Sequence, residues 1–327
     1  MTALAFTVLA LVLSGPVPAI LARASWPFRA PRAAIVLWQA IAMAAVLSAF
    51  SAGIAIASRL FAPGPDGRPT TTITSEVGVL GWPGWVAYVV VFALTLVVGA
   101  RLIAAVLQVA IATRRRRAHH RMVVDLVGKS RKWAHAHGLT RMGPRRSWGL
   151  GTGDGLRILD VDQPLAYCLP GVRSRVVVSE GALATLADNE IAAILSHERA
   201  HLRARHDLVL EMFTAVHAAF PRFVRSGSAL DAVRLLVEML ADDAAVRISG
   251  PTPLARALVA CAAGHTPKGA LAAGGPTTVL RVRRLGGRPN SLALAAGAYA
   301  AAATVLVVPT IAVVLPWLTE LQRLFAA

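Results

Sequence analysis

VAYVVVFALTLVVGARLIAAVLQVAIATRRRR, residues 86–117, is an apolar run that ends in four consecutive arginines. Crossing a bilayer core takes about 20 predominantly apolar helical residues. This run is long enough, and Arg114, Arg115, Arg116 and Arg117 mark the end that stays out of the lipid. Three more runs of this kind lie at 2–22, 33–57 and 292–318. Trp82, Trp85 and Trp317 fall near run ends, where interfacial aromatics are expected.

The composition agrees. Of 327 residues, 56% are hydrophobic and only 16% charged. That excludes a disordered chain and is too apolar for an ordinary soluble globule. Two cysteines, Cys168 and Cys261, are too few for a disulfide framework or an all-cysteine metal site.

Arginine placement orients the chain. The loop after the first run holds Arg23, Arg29 and Arg32 and no acid, whereas Arg59 and Arg68 in the next loop are balanced by Asp66 and Glu76. The positive-inside rule then expects the first loop and residues 113–290 on the cytoplasmic side of a plasma membrane, with both termini outside. No positive charge precedes the first run, so it reads as a span and not as a cleaved leader. Pro16 and Pro18 predict a kink in it. Arg101, inside the third run, reads either as a polar group for helix pairing or as a side chain snorkelling to the interface. The net charge of +17 falls mostly between residues 113 and 290. Anionic lipid headgroups are its expected counterpart. No zinc finger or aromatic-basic RNA motif is present, so nucleic acid is not an expected partner. The excess of arginine over lysine, with much alanine and glycine, points to a GC-rich bacterial genome.

The expected fold is therefore a multi-pass α-helical membrane protein of four spans, with an α+β domain between spans three and four. Its parts are a three-span membrane region at 1–112, a cytoplasmic domain at 113–290, and a fourth span with a short outer tail at 291–327. Within the domain, a basic helix is expected at 121–137 and a loop at 138–154. Strands are expected at 156–161, 165–168 and 175–179, closed by a turn at Glu180-Gly181. A helix is expected at 189–206, capped by Asp188, and Pro221 breaks the chain. Further helices are expected at 228–248 and 254–263, and a linker of small residues at 266–278.

The first of these helices contains Ser196-His197-Glu198-Arg199-Ala200-His201, an H-E-x-x-H motif. Residues i and i+4 share one helix face, so both imidazoles can reach one Zn²⁺. Glu198 is rotated by about 100° from His197, beside such an ion and not on it, where it can take a proton from a water. A catalytic zinc usually has three protein ligands. Glu238, on the helix after the Pro221 break, can complete a His₂Glu set, and Asp242 one turn on can accept the free N–H of a ligand histidine. Asp243 points elsewhere and reads as solvated or paired with an arginine. The bland reading, a surface helix with Glu198 paired to Arg203, is opposed by the apolar face of Ile191, Ile194, Leu195 and Leu202.

The stretch 196–207 together with 238–246 resembles the membrane zinc metallopeptidases of the BlaR/MecR type. These are gluzincins and neighbours of the HtpX-like proteases. The resemblance runs over roughly 165–262 and includes Leu169-Pro-Gly-Val-Arg-Ser-Arg-Val-Val-Val-Ser-Glu-Gly-Ala-Leu183. It implies a cytoplasmic gluzincin-type domain with His197, His201 and Glu238 as zinc ligands, Glu198 as general base and Asp242 as the supporting acid. It also implies a protein or peptide substrate, such as a transcriptional repressor. HtpX-like quality control of membrane proteins and a non-catalytic zinc-binding signalling role are the alternatives. Only a short tail follows Leu318 where BlaR/MecR proteins carry a penicillin-binding sensor, so β-lactam reception is not expected.

The strand residues Val176, Val177 and Val178 are expected to bind substrate by main-chain pairing. His217, Tyr167 and Arg247 are candidates for stabilising the oxyanion. His206 reads as a partner for helix C-terminal carbonyls, and His119, His120, His135 and His137 as part of a solvated basic helix. Cys168 and Cys261 read as reduced packing residues.

Overall fold

The computed structural model describes residues 2–57, 73–130, 155–221, 226–262, 271–272, 277–287 and 290–326. The expected loop at 138–154, His135, His137 and residues 58–72 of the loop after the second run lie outside them.

The first apolar run breaks where its prolines fall. Helices α1 (Thr2–Ser14) and α2 (Pro16–Arg23) meet at Gly15, whose backbone is not helical. Pro16 opens α2, a position where no helical N–H bond is lost. A short turn, Trp26–Arg29, leads into α3 (Pro31–Ala57). Then comes α4 (Ile73–Val127), bent at Gly81, where φ is 70°. Among the described residues, four helical stretches are long and apolar enough to cross a membrane: Ala3–Arg23, Pro31–Ala57, Leu80–Val127 and Leu292–Ala312. At 1.5 Å per residue, the part of α4 after the Gly81 bend is roughly 70 Å long, well beyond a hydrocarbon core of about 30 Å. The expected division at residue 112 therefore falls inside one continuous helix. The far end of α4 reaches the sheet, where Val124 packs with Leu165, Tyr167, Leu169 and Val177.

The sheet is built from β1 (Lys129–Ser130), β2 (Leu156–Leu159), β3 (Ala166–Leu169), β4 (Arg175–Ser179) and β5 (Leu271–Ala272), in the order β1-β2-β4-β3-β5. Strands β2 and β4 are parallel, and the other pairings are antiparallel. The expected turn at Glu180-Gly181 is instead the start of a helix, α5 (Glu180–Thr185). Its cap is Ser179, whose Oγ accepts from the N–H groups of Ala182 and Leu165 and donates to the Gln163 carbonyl. A Cβ at position 181 would overlap the Asp162 carbonyl, so only glycine fits there.

Helix α6 (Asp188–Arg203) starts at Asp188, the residue expected to cap it, so the cap position falls to Ala187, whose N–H Glu190 accepts at 3.0 Å. Its buried Ile191, Ala193, Ile194 and Leu195 pack with Ile158, Cys168, Val176 and Val178 of the sheet. The other side of that core is Leu254, Leu258 and Cys261 of α9 (Pro251–Cys261). The chain then leaves expectation. Helix α6 stops at Arg203, Arg205 takes a left-handed conformation (φ 50°), and a separate helix, α7 (His206–Ala219), follows.

Helix α7 lies along α4. Arg117 pairs with Asp207 (3.1 Å) and Glu211 (2.7 Å) near one end. Arg101 Nε donates to the Ala219 carbonyl at the other, at 2.5 Å. Arg101 thus serves helix pairing, as one of its two sequence readings had it. Helix α8 (Ser226–Ser249) returns, and Leu230, Val233, Leu236, Val237 and Met239 join one core with Leu13, Leu21, Leu37, Trp38 and Ile41 of the apolar bundle. The α7–α8 hairpin is therefore packed against the spans.

The last elements are α10 (Thr278–Leu285) and α11 (Leu292–Ala326). Sequence reading took 266–278 for a linker. Within it, Leu271–Ala272 pairs with β3, and α10 begins at its end.

Candidate metal centre

Helix α6 presents His197, Glu198 and His201 to the interior, all at most 1% exposed. The two imidazoles sit one turn apart with their Nε2 atoms 3.1 Å from each other. Glu238 arrives from α8, with Oε2 3.4 Å from His197 Nε2 and Oε1 3.5 Å from His201 Nε2. Among the described residues, these three form the group of His, Cys, Asp and Glu side chains that could hold a metal ion. A tetrahedral zinc with bonds of about 2.0–2.1 Å sets its ligand atoms roughly 3.3–3.4 Å apart. The observed separations match, and the two-nitrogen, one-carboxylate donor set is of the kind zinc takes in catalytic sites.

Each ligand is supported from behind. Asp242, one turn after Glu238, places Oδ1 3.0 Å from His197 Nδ1. His206 lies with Nδ1 3.0 Å from His201 Nδ1, so one of the two donates to the other and the Nε2 of His201 stays turned to the centre. This corrects the reading of His206 as a partner for helix carbonyls. It is the first residue of α7, buried against a candidate ligand.

The residue that sequence reasoning missed is Arg281, on α10 and 1% exposed. Its Nε donates to Asp242 Oδ2 at 2.8 Å and its Nη2 to Oδ1 at 2.6 Å, while Nη1 lies 3.0 Å from Glu238 Oε2. Arg281 holds both acids of α8 in place. Asp243 points away and pairs with Arg284 (2.6 Å), as its sequence reading had it.

Glu198 is fully buried between α6 and the sheet. The Cys168 thiol approaches it, and neither carboxylate oxygen is held in a hydrogen bond of good geometry. Burial pushes its pKa up to about 8, against the pull of His197. Arg203 is exposed and does not pair with it. Burial likewise drives His201 down to about 3 and His206 to about 4. His197 is held at about 9, because Asp242 and Glu238 outweigh its burial. Burial also opposes ionisation of Glu238, yet the neighbouring His201 and His197 and the Arg281 cation hold it near 2. Glu238 and His201 thus stand in the states that ligate metal, ionised carboxylate and neutral imidazole, whereas His197 must give up a proton when an ion binds.

Two expectations are overturned. Val176, Val177 and Val178 cannot pair with a substrate, because β4 lies inside the sheet, bonded to β2 on one side and β3 on the other, with all three residues fully buried. The strand beyond β3, toward the sheet margin, is β5. Tyr167 is on the sheet face that meets α4, with its hydroxyl 3.0 Å from His120 Nε2, and not on the face of Glu198. Of the other oxyanion candidates, Arg247 borders a separate cleft and His217 lies beside Gly227 at the start of α8.

Residues 156–288 match the model of Peptidase family M48. The match runs from β2 past α10 and takes in His197, Glu198, His201, Glu238, Asp242 and Arg281, so it supports a metallopeptidase of the M48 type. Comparison with curated proteins and with solved structures finds no match. The M48-like region is the part of the chain in which the two histidines and the glutamate meet, and the four apolar helices beside it point to membrane association.

Proposed function

We propose that the chain is a membrane-embedded, zinc-dependent endopeptidase that cleaves cytoplasmic or membrane-associated proteins. The observation that carries this is the meeting of His197, His201 and Glu238 at 3.1–3.5 Å beside a buried Glu198. A structural zinc site needs no such free carboxylate. When bound, zinc supplies Lewis-acid chemistry, polarising the scissile carbonyl and acidifying a water.

The chain's own residues supply the rest. His197 and His201 present Nε2, fixed by Asp242 and His206 behind them. Glu198 takes the proton from the attacking water and returns it to the departing amide nitrogen. Its raised pKa suits both steps, since a group titrating near the working pH both accepts and releases a proton. Arg281 keeps Glu238 and Asp242 ionised and oriented. An extended substrate segment adds to the margin of the sheet along β5, not to β4.

The arginines at one end of the spans favour a cytoplasmic catalytic region in a bacterial plasma membrane, with both termini outside. The substrate class is a protein or peptide segment near the membrane surface, and the BlaR/MecR resemblance points to regulated cleavage of a transcriptional repressor. The test is cleavage of an unfolded protein such as casein by the purified chain, with and without chelator, together with metal analysis. Chelator-sensitive cleavage and one zinc per chain are expected. Full activity without metal would overturn the reading. Proteins accumulating in cells that carry Glu198→Gln would name the substrate, one repressor or a broad set of membrane proteins.

A further inference from the structure

A second cleft, of about 600 Å³, opens between the first turns of α3, the C-terminal ends of α6 and α8, and the start of α7. Its lining includes His206 but not His197, Glu198, His201 or Glu238, so it adjoins the metal centre without being part of it. Three arginines border it, Arg32, Arg203 and Arg247, all exposed. Elsewhere Arg117, Arg157, Arg175, Arg281 and Arg284 each meet a carboxylate. Among the described residues, the three around the cleft are in no ion pair. Arg203 and Arg247 stand at helix C-termini, whose partial negative charge they complement. Arg32 does not have that role. It is in the first turn of α3, where the helix dipole is already positive, so its charge adds to an excess that a bound anion would relieve.

The cleft has a second character. Arg32 stands at the mouth of an apolar helix, and Ile35 and Val36 carry the wall of the cleft along that helix. Ile248, 62% exposed, faces the same space. Cations at one end and an aliphatic wall continuing onto a span at the other match an amphiphile. A water-soluble acidic peptide would gain nothing from that wall.

We propose that this cleft binds the phosphate-bearing headgroup of an anionic phospholipid, with the first acyl methylenes lying along Ile35 and Val36. Arginine is suited to the role, since its planar fork engages phosphate oxygens in pairs and stays charged at the interface. The proposal rests on the four apolar helices being membrane spans and not on the chain being a protease, so its test reads binding alone.

The experiment is native mass spectrometry of the purified full chain with phosphatidylglycerol or phosphatidylcholine, for the wild type, Arg203→Gln/Arg247→Gln, and Arg173→Gln/Arg256→Gln as a control of equal charge change on exposed arginines elsewhere. Phosphatidylglycerol is expected to be retained over phosphatidylcholine. The first double variant should retain it roughly tenfold less or worse, and the control should match the wild type. A photoactivatable phosphatidylglycerol should cross-link near Val36 and Ile248, which checks the location independently of any variant. Equal retention of the two lipids, an unchanged first double variant, or cross-links elsewhere would overturn the proposal. So would displacement by inorganic phosphate, which marks a free-phosphate site, or by an acidic peptide, which marks a protein-docking site.

Discussion

Arg281 and Asp242 form a two-pronged ion pair, at 2.8 and 2.6 Å, with both side chains 1% exposed. They come from helices α10 and α8, separated by 39 positions in the chain. The pair fixes the acid that backs His197, and a third Arg281 nitrogen reaches Glu238.

Removing the arginine leaves two carboxylates buried without their cation. Arg281→Ala is expected to destabilise the protein by about 3–5 kcal/mol and to weaken metal binding. Chemical denaturation of the metal-free chain, followed by zinc titration, checks both. Arg281→Lys should recover only part, since a single ammonium cannot serve both Asp242 oxygens and Glu238.

Glu198→Gln keeps the shape of the side chain and removes the proton acceptor. Peptide cleavage should fall by at least about 10²–10⁴-fold while one zinc per chain remains bound. Parallel activity assays and metal analysis decide it. An active variant would reject Glu198 as the base.

Glu238→Gln weakens the donor set without removing either imidazole. Zinc affinity should drop markedly, and activity should return in part at raised zinc concentration. The same rescue should follow chelation and zinc re-addition in the wild type. If Glu238→Gln left affinity unchanged, the third ligand would have to be sought elsewhere.

The two thiols offer a pH signature. Burial raises Cys261 to about 12 and Cys168 well above its ordinary value, with Glu198 adding to both shifts. A thiol whose folded pKa is raised stabilises the fold below its unfolded value of about 8.5. That contribution is lost as pH climbs from there towards 12. Alkaline denaturation midpoints should therefore fall over that window, and less so in Cys261→Ala. Alkylation of the native protein at pH 7 should be slow at both positions, since both are at most 3% exposed.

Gly181→Ala tests the packing that carries the sheet into α5. Its Cβ would meet the Asp162 carbonyl, part of a backbone and unable to swing aside. A loss of about 1–3 kcal/mol is expected in thermal or chemical unfolding.

Much of this was legible in the residues. The spans announce themselves because lipid demands long apolar runs, and the H-E-x-x-H spacing because one helical turn sets it. Glu238 and Asp242 could be found because they repeat that i, i+4 spacing on a second helix. Arg281 could not, since it follows a stretch of small residues that reads as a linker, and its value lies wholly in what α8 brings to it. Helix α7 was hidden by the left-handed Arg205, which separates it from α6 where the pattern runs on. Val176, Val177 and Val178 were read correctly as a strand and wrongly as an edge. Strand order is a tertiary property, and a fully apolar run is itself the mark of a strand covered on both faces.

The α7–α8 hairpin has a practical consequence. Glu238 rides on a helix whose first half is wedged among the apolar helices, while His197 and His201 ride on one seated against the sheet. A fragment trimmed to 113–290 would retain every donor yet strip the glutamate's helix of the surface it rests on, and expose Leu230, Val233 and Val237 to water. Such a fragment should aggregate, or hold its ion loosely, so biochemistry on this chain calls for the intact polypeptide in detergent or nanodiscs.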